Sequence, residues 1–425
     1  MSANPVPLNL LPDSATVEDG RLSIGGCDII GLVERFGSPL FVYDEQHLID
    51  RCEEAVSAFG PGVAYASKAF LCRAMARIAA GAGMSIDVAT GGELHVALSA
   101  GVPPESIVFH GNNKSSSEIS NALTAAVGTI VVDSFDEMDR IDALVSAGVG
   151  PVPEILIRVN PGIQAHTHEY LQTGIPDSKF GFPIADGTAS AAIERARASA
   201  SMVYRGVHVH IGSQVFDVES YRKAIVALAP FVDGSGADEF SVGGGLGVAY
   251  VEGESESSIS DWASMVTSAV ADAGITARVT AEPGRSIVAK AALTAYTVGT
   301  IKQVPEVRTY LAVDGGMSDN PRPVLYGSGY EAFLARSVLS ERGAQFRIVG
   351  KHCESGDVIV KDAYLPLDVV VGDVICTPVT GAYGHAMGSN YNKVLRPAAV
   401  FVKNGNARVV VRRETLEDLL TTDMG

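Results

Sequence analysis

Basic residues are scarce in this chain: 32 Lys and Arg stand against 49 Asp and Glu, for a formal net charge of −17. That acidity repels polyphosphate and anionic lipid, and no Lys/Arg cluster interrupts it, so a nucleic-acid or membrane-surface partner is not expected. Cysteine is sparse as well. The five, Cys27, Cys52, Cys72, Cys353 and Cys376, are odd in number and show neither C-x-x-C nor zinc-type spacing. They read as reduced thiols rather than as a disulfide framework or a metal knuckle. No apolar run is long enough to span a bilayer, and the opening MSANPVPLNLLPDS lacks the basic n-region and continuous apolar stretch of a secretory signal. The expectation is a soluble protein of the cytoplasm.

What is present is ordinary globular material on a large scale. With 425 residues, 47% hydrophobic and 19% charged, the chain is long enough for two domains and can bury a sizeable core. Short apolar, β-prone runs recur at VAYAS (63–67), SIDVA (85–89), IVFH (107–110), TIVVD (129–133), EILIRVN (154–160), GVHVHI (206–211), EFSVGG (239–244) and RVTAEPG (278–284). Ala-rich stretches of helical spacing such as LCRAMARIAAGAG, GGELHVALSAGV and DWASMVTSAVADAG lie between them. This alternation predicts an α/β fold, a (β/α)8 barrel over about residues 39–285. After Arg285 the pattern turns to β-prone segments punctuated by turns, which predicts a mainly-β C-terminal domain over 286–425. The stretch RLSIGGCDIIGLVERFGSPLFVYD also reads as strand-like, and the N-terminal segment 1–38 is expected to join that β domain. AYVEGESESSISDW is polar and Ser/Glu-rich, the candidate for a mobile surface loop. No internal repeat is found beyond the βα period.

Barrel enzymes place their chemistry at the C-terminal ends of the strands. There the sequence holds Lys68, Asp87, His110, Arg158, Asn160, His208, His210, the run GGGLG and Glu282. A lysine directly after an apolar strand is desolvated in a barrel mouth, where its amine attacks a carbonyl to form a Schiff base; taken alone it reads as one that snorkels to solvent, and the company it keeps at the strand ends favours the Schiff base. GGGLG after strand seven suits a phosphate held by backbone N–H groups and a helix N-terminus, or simply a tight strand-to-helix connection. Glu282 suits a protonated pyridine nitrogen, or a salt bridge to Arg285. His208 and His210 share one strand face, so a metal pair is conceivable; without a third ligand of matching spacing, no metal is expected, and a flat imidazole against a planar ring or a packed core histidine remain.

Taken in order, YASKAF, DVATGGEL, NPGIQAHTHEYLQTGIPDSKFGF, HVHIGSQ, VGGGLG, EPGRSIV, RPVLYG, CESGD and GAYGHAMGSNYN resemble the alanine-racemase-like, fold-type III pyridoxal-phosphate decarboxylases, and within them most closely the diaminopimelate decarboxylases. The resemblance runs from about residue 38 to 402. It implies pyridoxal 5′-phosphate as cofactor and Lys68 as its Schiff-base lysine. Asp87 and His210 would contact the cofactor, Ser213, Gly243, Gly244, Gly245, Gly284 and Arg285 its phosphate, and Glu282 its pyridine nitrogen. Tyr383 would touch cofactor and substrate. Cys353 would be the proton donor, reaching the site from the partner subunit of a homodimer. Glu354, Arg285, Arg322 and Tyr326 would grip the far end of the substrate. Glu354 and Arg322 together suit an end carrying both an amine and a carboxylate, as diaminopimelate does, whereas ornithine-type relatives have CD in place of CE. Phe70 stands where Asn often follows KA, and GSGYEAF after Tyr326 lacks the His often found there. Both departures bear on substrate contacts. The implied activity is decarboxylation of meso-diaminopimelate to lysine. Rivals are a decarboxylase of another basic amino acid or carboxylated polyamine, a Schiff-base aldolase without the cofactor, and a non-catalytic binding protein on the same fold.

Overall fold

The computed structural model describes residues 8–162 and 177–425. The chain divides into two units. One takes in Arg51–Val248 and Glu256–Ser286; the other takes in the residues up to Asp50, Ala249–Ser255 and Ile287–Gly425.

In the first unit the eight expected runs are eight parallel strands, ordered along the sheet as in the sequence: Ala64–Ala66, Ser85–Val88, Ile107–Phe109, Thr129–Val132, Glu154–Asn160, Val203–His208, Glu239–Ser241 and Arg278–Thr280. The sheet closes on itself, because the N–H groups of Ala64 and Ala66 donate to the carbonyls of Ala281 and Pro283 at 2.9 and 3.0 Å. Gly284 lies at this seam, where an added Cβ would stand 2.8 Å from Ala66 Cβ. Local chemistry starts the helices between the strands. Thr90, Ser115, Ser134 and Ser258 each accept from an N–H of the first turn, and Ser115 with Glu118 and Ser258 with Asp261 form reciprocal capping boxes.

The second unit is built on a mostly antiparallel sheet. Its strands include Ala292–Val304, Arg308–Val313, Ala344–Val349, Val358–Leu365, Val374–Pro378, Ala398–Lys403 and Asn406–Val411. The strand Leu40–Asp44 lies inside this sheet, antiparallel to Ala292–Ala295 and parallel to Ala398–Val402, with all five of its residues buried. An apolar run buried on both faces is what a central strand requires. The unit that contains this strand takes in the N-terminal residues as far as Asp50. Part of the N-terminal stretch also differs from its strand-like reading. Ile29–Phe36 is a helix, started by Asp28, whose carboxylate accepts from Gly31 N–H at 2.8 Å.

The expected mobile loop is ordered at both ends. Tyr250 is buried, Glu252 pairs with Arg342 at 3.2 Å, and from Ile259 the chain is a capped helix. Between these ends residues 252–256 are exposed, as expected of a surface loop. No helix among the described residues is long and apolar enough to cross a membrane.

Candidate active site

The C-terminal ends of the barrel strands converge on Glu282. Its carboxylate accepts from Ser241 Oγ at 3.1 Å and lies 2.9 Å from His208 Nε2 and 3.2 Å from His110 Nε2. All four residues are buried. Burial alone would favour the neutral acid, but the two imidazoles outweigh it and hold Glu282 well below the usual carboxylate range. Burial drives His208 the other way, to about 4, so its ring is neutral and donates its Nε2 proton to the carboxylate. His110 also loses by burial but gains more from Asp87 and Glu282, with Asp87 Oδ1 at 3.7 Å, and its net shift is upward. Asp87 is pushed up by burial. Glu282 is thus a fixed, ionised acceptor at the barrel mouth, with a proton reserve behind it in His110 and Asp87.

The salt bridge from Glu282 to Arg285 that the spacing allows is replaced by these histidines. Arg285 instead donates from Nη2 to Ser213 Oγ at 3.0 Å. A third candidate metal ligand does exist: His110, His208 and Glu282 each offer an atom within 4.8 Å of the others. His208 faces Glu282 as a donor, however, so its Nε2 does not offer a free lone pair to a metal.

A pH consequence follows. The ordinary pKa of 6.5 for histidine is depressed to about 4 at His208. The unfolded chain therefore binds the proton first as pH falls. Stability from the neutral ring is complete above 6.5 and is lost as pH drops toward 4, by roughly 3 kcal/mol. Urea unfolding of the cofactor-free protein should show wild type losing about that much more than His208→Gln between pH 7 and 4. Equal losses would mean that the native ring is already charged.

Lys68 sits on a single 3-10 turn, Ser67–Ala69, directly after the first strand, with Ser67 and Ala69 buried and Lys68 itself exposed. The burial expected for it from its apolar neighbours is therefore not seen. Its charge still reaches Asp87, Glu93 and His210. His210 is half-buried and accepts at Nδ1 from Gly244 N–H at 3.3 Å. Burial, then Lys68, hold it well below the usual imidazole range, as a neutral flat ring.

At Gly243, Gly244 and Gly245 an added Cβ would overlap the carbonyl oxygens of Val209, Glu282 and Gly212 respectively. This glycine turn does not run into a helix as expected. It is stitched instead to the segment carrying Ser213, through Val215 N–H to Gly245 O and Gly247 N–H to Val215 O, both 2.9 Å. A backbone cradle, a hydroxyl and a guanidinium suit a phosphate, an ionised carboxylate suits a pyridinium, and an exposed amine suits an aldehyde. The barrel residues fit pyridoxal phosphate. Arg158 is committed elsewhere, over the Phe180 ring at 4.3 Å and 3.7 Å from Asp133. Of the quoted motifs, IQAHTHEYLQTGIP (163–176) lies outside the described residues.

The second unit carries the remaining candidates. Arg322 opens the helix Arg322–Tyr326 and is 4% exposed, while Tyr326 is half-buried. The Arg322 guanidinium lies 4.2 Å from the centroid of Tyr250, and its Nη1 donates to Tyr330 Oη at 2.8 Å. Neither tyrosine was marked as a site residue from the sequence. Tyr330 falls inside GSGYEAF, the stretch that departs from the common pattern, and that departure was its only signal.

Cys353 is an exposed free thiol, unlike the four buried cysteines, so it is not an inert core residue. Its N–H donates to Asn392 Oδ1 at 3.0 Å, and the exposed Glu354 accepts a short hydrogen bond from Tyr391 Oη. The preceding His352 is fixed by Asp357 at 2.8 Å and stacks on Tyr391, with ring centroids 5.8 Å apart. CESGD and GSNYN, far apart in sequence, thus build one loop cluster. Tyr383 is half-buried with φ of 59°, between Gly381 and Gly384.

Residues 45–289 match the family described as pyridoxal-dependent decarboxylase, pyridoxal binding domain. Over the whole length, the chain is 43% identical to the diaminopimelate decarboxylase of Mycobacterium tuberculosis, covering 98% of each. The chain belongs to the diaminopimelate decarboxylase family. The Bacillus subtilis member is 42% identical over 96% of each chain. Among solved structures, the diaminopimelate decarboxylase of M. jannaschii in co-complex with L-lysine superposes with a TM-score of 0.90, at 31% identity, covering 97% of this chain and 98% of that one. The family's fold, a parallel barrel with a mostly-β sheet domain, is the one described above.

Proposed function

We propose that this chain decarboxylates meso-2,6-diaminopimelate to L-lysine and CO2, the last step of lysine formation, as a pyridoxal-phosphate-dependent carboxy-lyase of the cytoplasm. The observation that carries the substrate assignment is Arg322, a buried cation whose electrostatic neighbours are the tyrosines Tyr250, Tyr330 and Tyr383. A buried charge calls for a counter-charge, and a carboxylate brought by the substrate supplies one. The exposed Glu354 offers the complementary acid for an amine.

In this reading Lys68 holds the cofactor covalently through its amine. Glu282 keeps the pyridine nitrogen protonated, and Asp87 acts on it through His110. His210, a neutral flat ring, would face the cofactor. Ser213, Gly243, Gly244, Gly245, Gly284 and Arg285 hold the phosphate. The cofactor, when bound, supplies an electron sink for the charge left as CO2 departs. Cys353 of the partner subunit in a homodimer then delivers a proton from Sγ to that carbon. Glu354 takes the distal amine, Arg322, Arg285 and Tyr326 take the substrate carboxylates, and Tyr383 touches both cofactor and substrate.

The test is release of CO2 and lysine from meso-diaminopimelate with and without added pyridoxal phosphate, with ornithine and arginine run in parallel. Cofactor-dependent lysine formation is expected. Silence on diaminopimelate with turnover of either other amine would overturn the substrate assignment and leave the cofactor chemistry standing.

A further inference from the structure

Arg322 is held by more than its helix. Tyr250 covers it at 4.2 Å from ring centroid to guanidinium carbon, and Tyr330 is both a hydrogen-bond acceptor at 2.8 Å and a second aromatic neighbour at 5.7 Å. The two rings meet edge to face, with centroids 5.3 Å apart and planes at 84°, and both residues are 4% exposed. Behind them the buried Arg342 staples the two segments that carry these rings, pairing with Glu252 at 3.2 Å and Glu331 at 2.9 Å. Glu252 N–H donates to Glu331 Oε1 at 3.2 Å. Gly329 allows the approach, since a Cβ there would stand 2.9 Å from Val251 Cγ1.

A free arginine side chain carries about 2 kcal/mol of rotamer entropy, which a ligand would have to overcome on binding. Here the stacked ring fixes the plane of the guanidinium and the phenol oxygen fixes its rotation before any ligand arrives. The choice of phenols matters. A carboxylate in either position would hold Arg322 equally still but would neutralise it, whereas neutral aromatic partners orient the cation and leave its charge to the ligand.

We propose that Tyr250 and Tyr330 are positioning residues that present Arg322 to the distal carboxylate and thereby set the preference for amines that carry one. The proposal rests on the reading of Arg322 given above. It adds two residues and the stapled pair of segments as determinants of specificity.

L-Lysine and cadaverine differ by that one carboxylate, and the ratio of their calorimetric dissociation constants on the holoenzyme reads the effect. Because both ligands meet the same protein, a partly misfolded fraction cancels from the ratio. Tyr330→Phe keeps the ring and removes the acceptor, and should cut the preference for lysine about tenfold, which is about 1.4 kcal/mol. Tyr250→Leu should lower it as well, while Tyr250→Phe, which keeps the stacking face, should preserve it. Arg322→Lys should lower it most. If Arg322→Lys moves the ratio and Tyr330→Phe weakens both ligands equally or neither, the two tyrosines are only structural and the inference fails. If Arg322→Lys leaves the ratio unchanged, the assignment of Arg322 to the distal carboxylate fails, and the inference with it.

Discussion

Lys68→Ala is expected to lower turnover by roughly a thousandfold or more, about 4 kcal/mol of transition-state stabilisation. The substitution is a clean one. Lys68 is exposed on its turn while its neighbours Ser67 and Ala69 carry the packing, and truncating an exposed side chain of this kind usually changes stability by no more than about 0.5 kcal/mol. Loss of activity with an unchanged melting curve would therefore report chemistry rather than collapse. A second readout does not depend on turnover. Borohydride treatment of the wild-type holoenzyme should leave the cofactor fixed to the chain, visible as an added mass on the peptide containing Lys68, and the variant should carry none. Residual catalysis near the wild-type rate, or the added mass on another lysine, would remove Lys68 from the role.

The second large effect concerns Cys353. Cys353→Ala alone should be nearly inactive, because no neighbouring thiol stands in for it: the other four cysteines are buried. Mixed with Lys68→Ala and allowed to exchange subunits, it should regain activity. In a shared-site dimer, half of the mixed population is hybrid and each hybrid has one intact site of two, so roughly a quarter of wild-type activity is expected. Hybrid formation shown by mass, with no recovery of activity, would place Lys68 and Cys353 of a single subunit in the same site and sink the shared arrangement.

Much of the barrel could be read in advance because its strands are short apolar runs followed closely by polar residues, and four of its helices begin at a serine or threonine cap. The same rule led to Lys68, Asp87, His110, His208 and Glu282 as strand-end residues, and four of these five form the buried relay around Glu282. What the sequence could not give was the pairing. His208 and His210 lie in one apolar run, yet the strand ends at His208, so His208 bonds Glu282 while His210, beyond the strand end, bonds the glycine turn. Ser241 lies inside the strand run EFSVGG, and nothing in the sequence directs its hydroxyl to Glu282. Apolar neighbours on both sides of Lys68 suggest burial, whereas the side chain is exposed on its 3-10 turn between two buried residues. Tyr250 and Tyr330 are separated by 80 positions of chain, and nothing short of the tertiary fold brings them to one guanidinium.

The strand Leu40–Asp44 gives the molecule a particular order of manufacture. It lies between Ala292–Ala295 and Ala398–Val402, so its two hydrogen-bonding edges are supplied by segments made long after it. At ribosomal rates of about 5–20 residues per second, this apolar ribbon waits tens of seconds for its second neighbour. The barrel strands are all made during that interval, while the sheet is not complete until almost the whole chain has emerged. A nascent chain halted after the barrel would thus hold a finished cofactor-binding half and a naked hydrophobic strand, which makes Leu40–Asp44 the segment that a chaperone would need to shield.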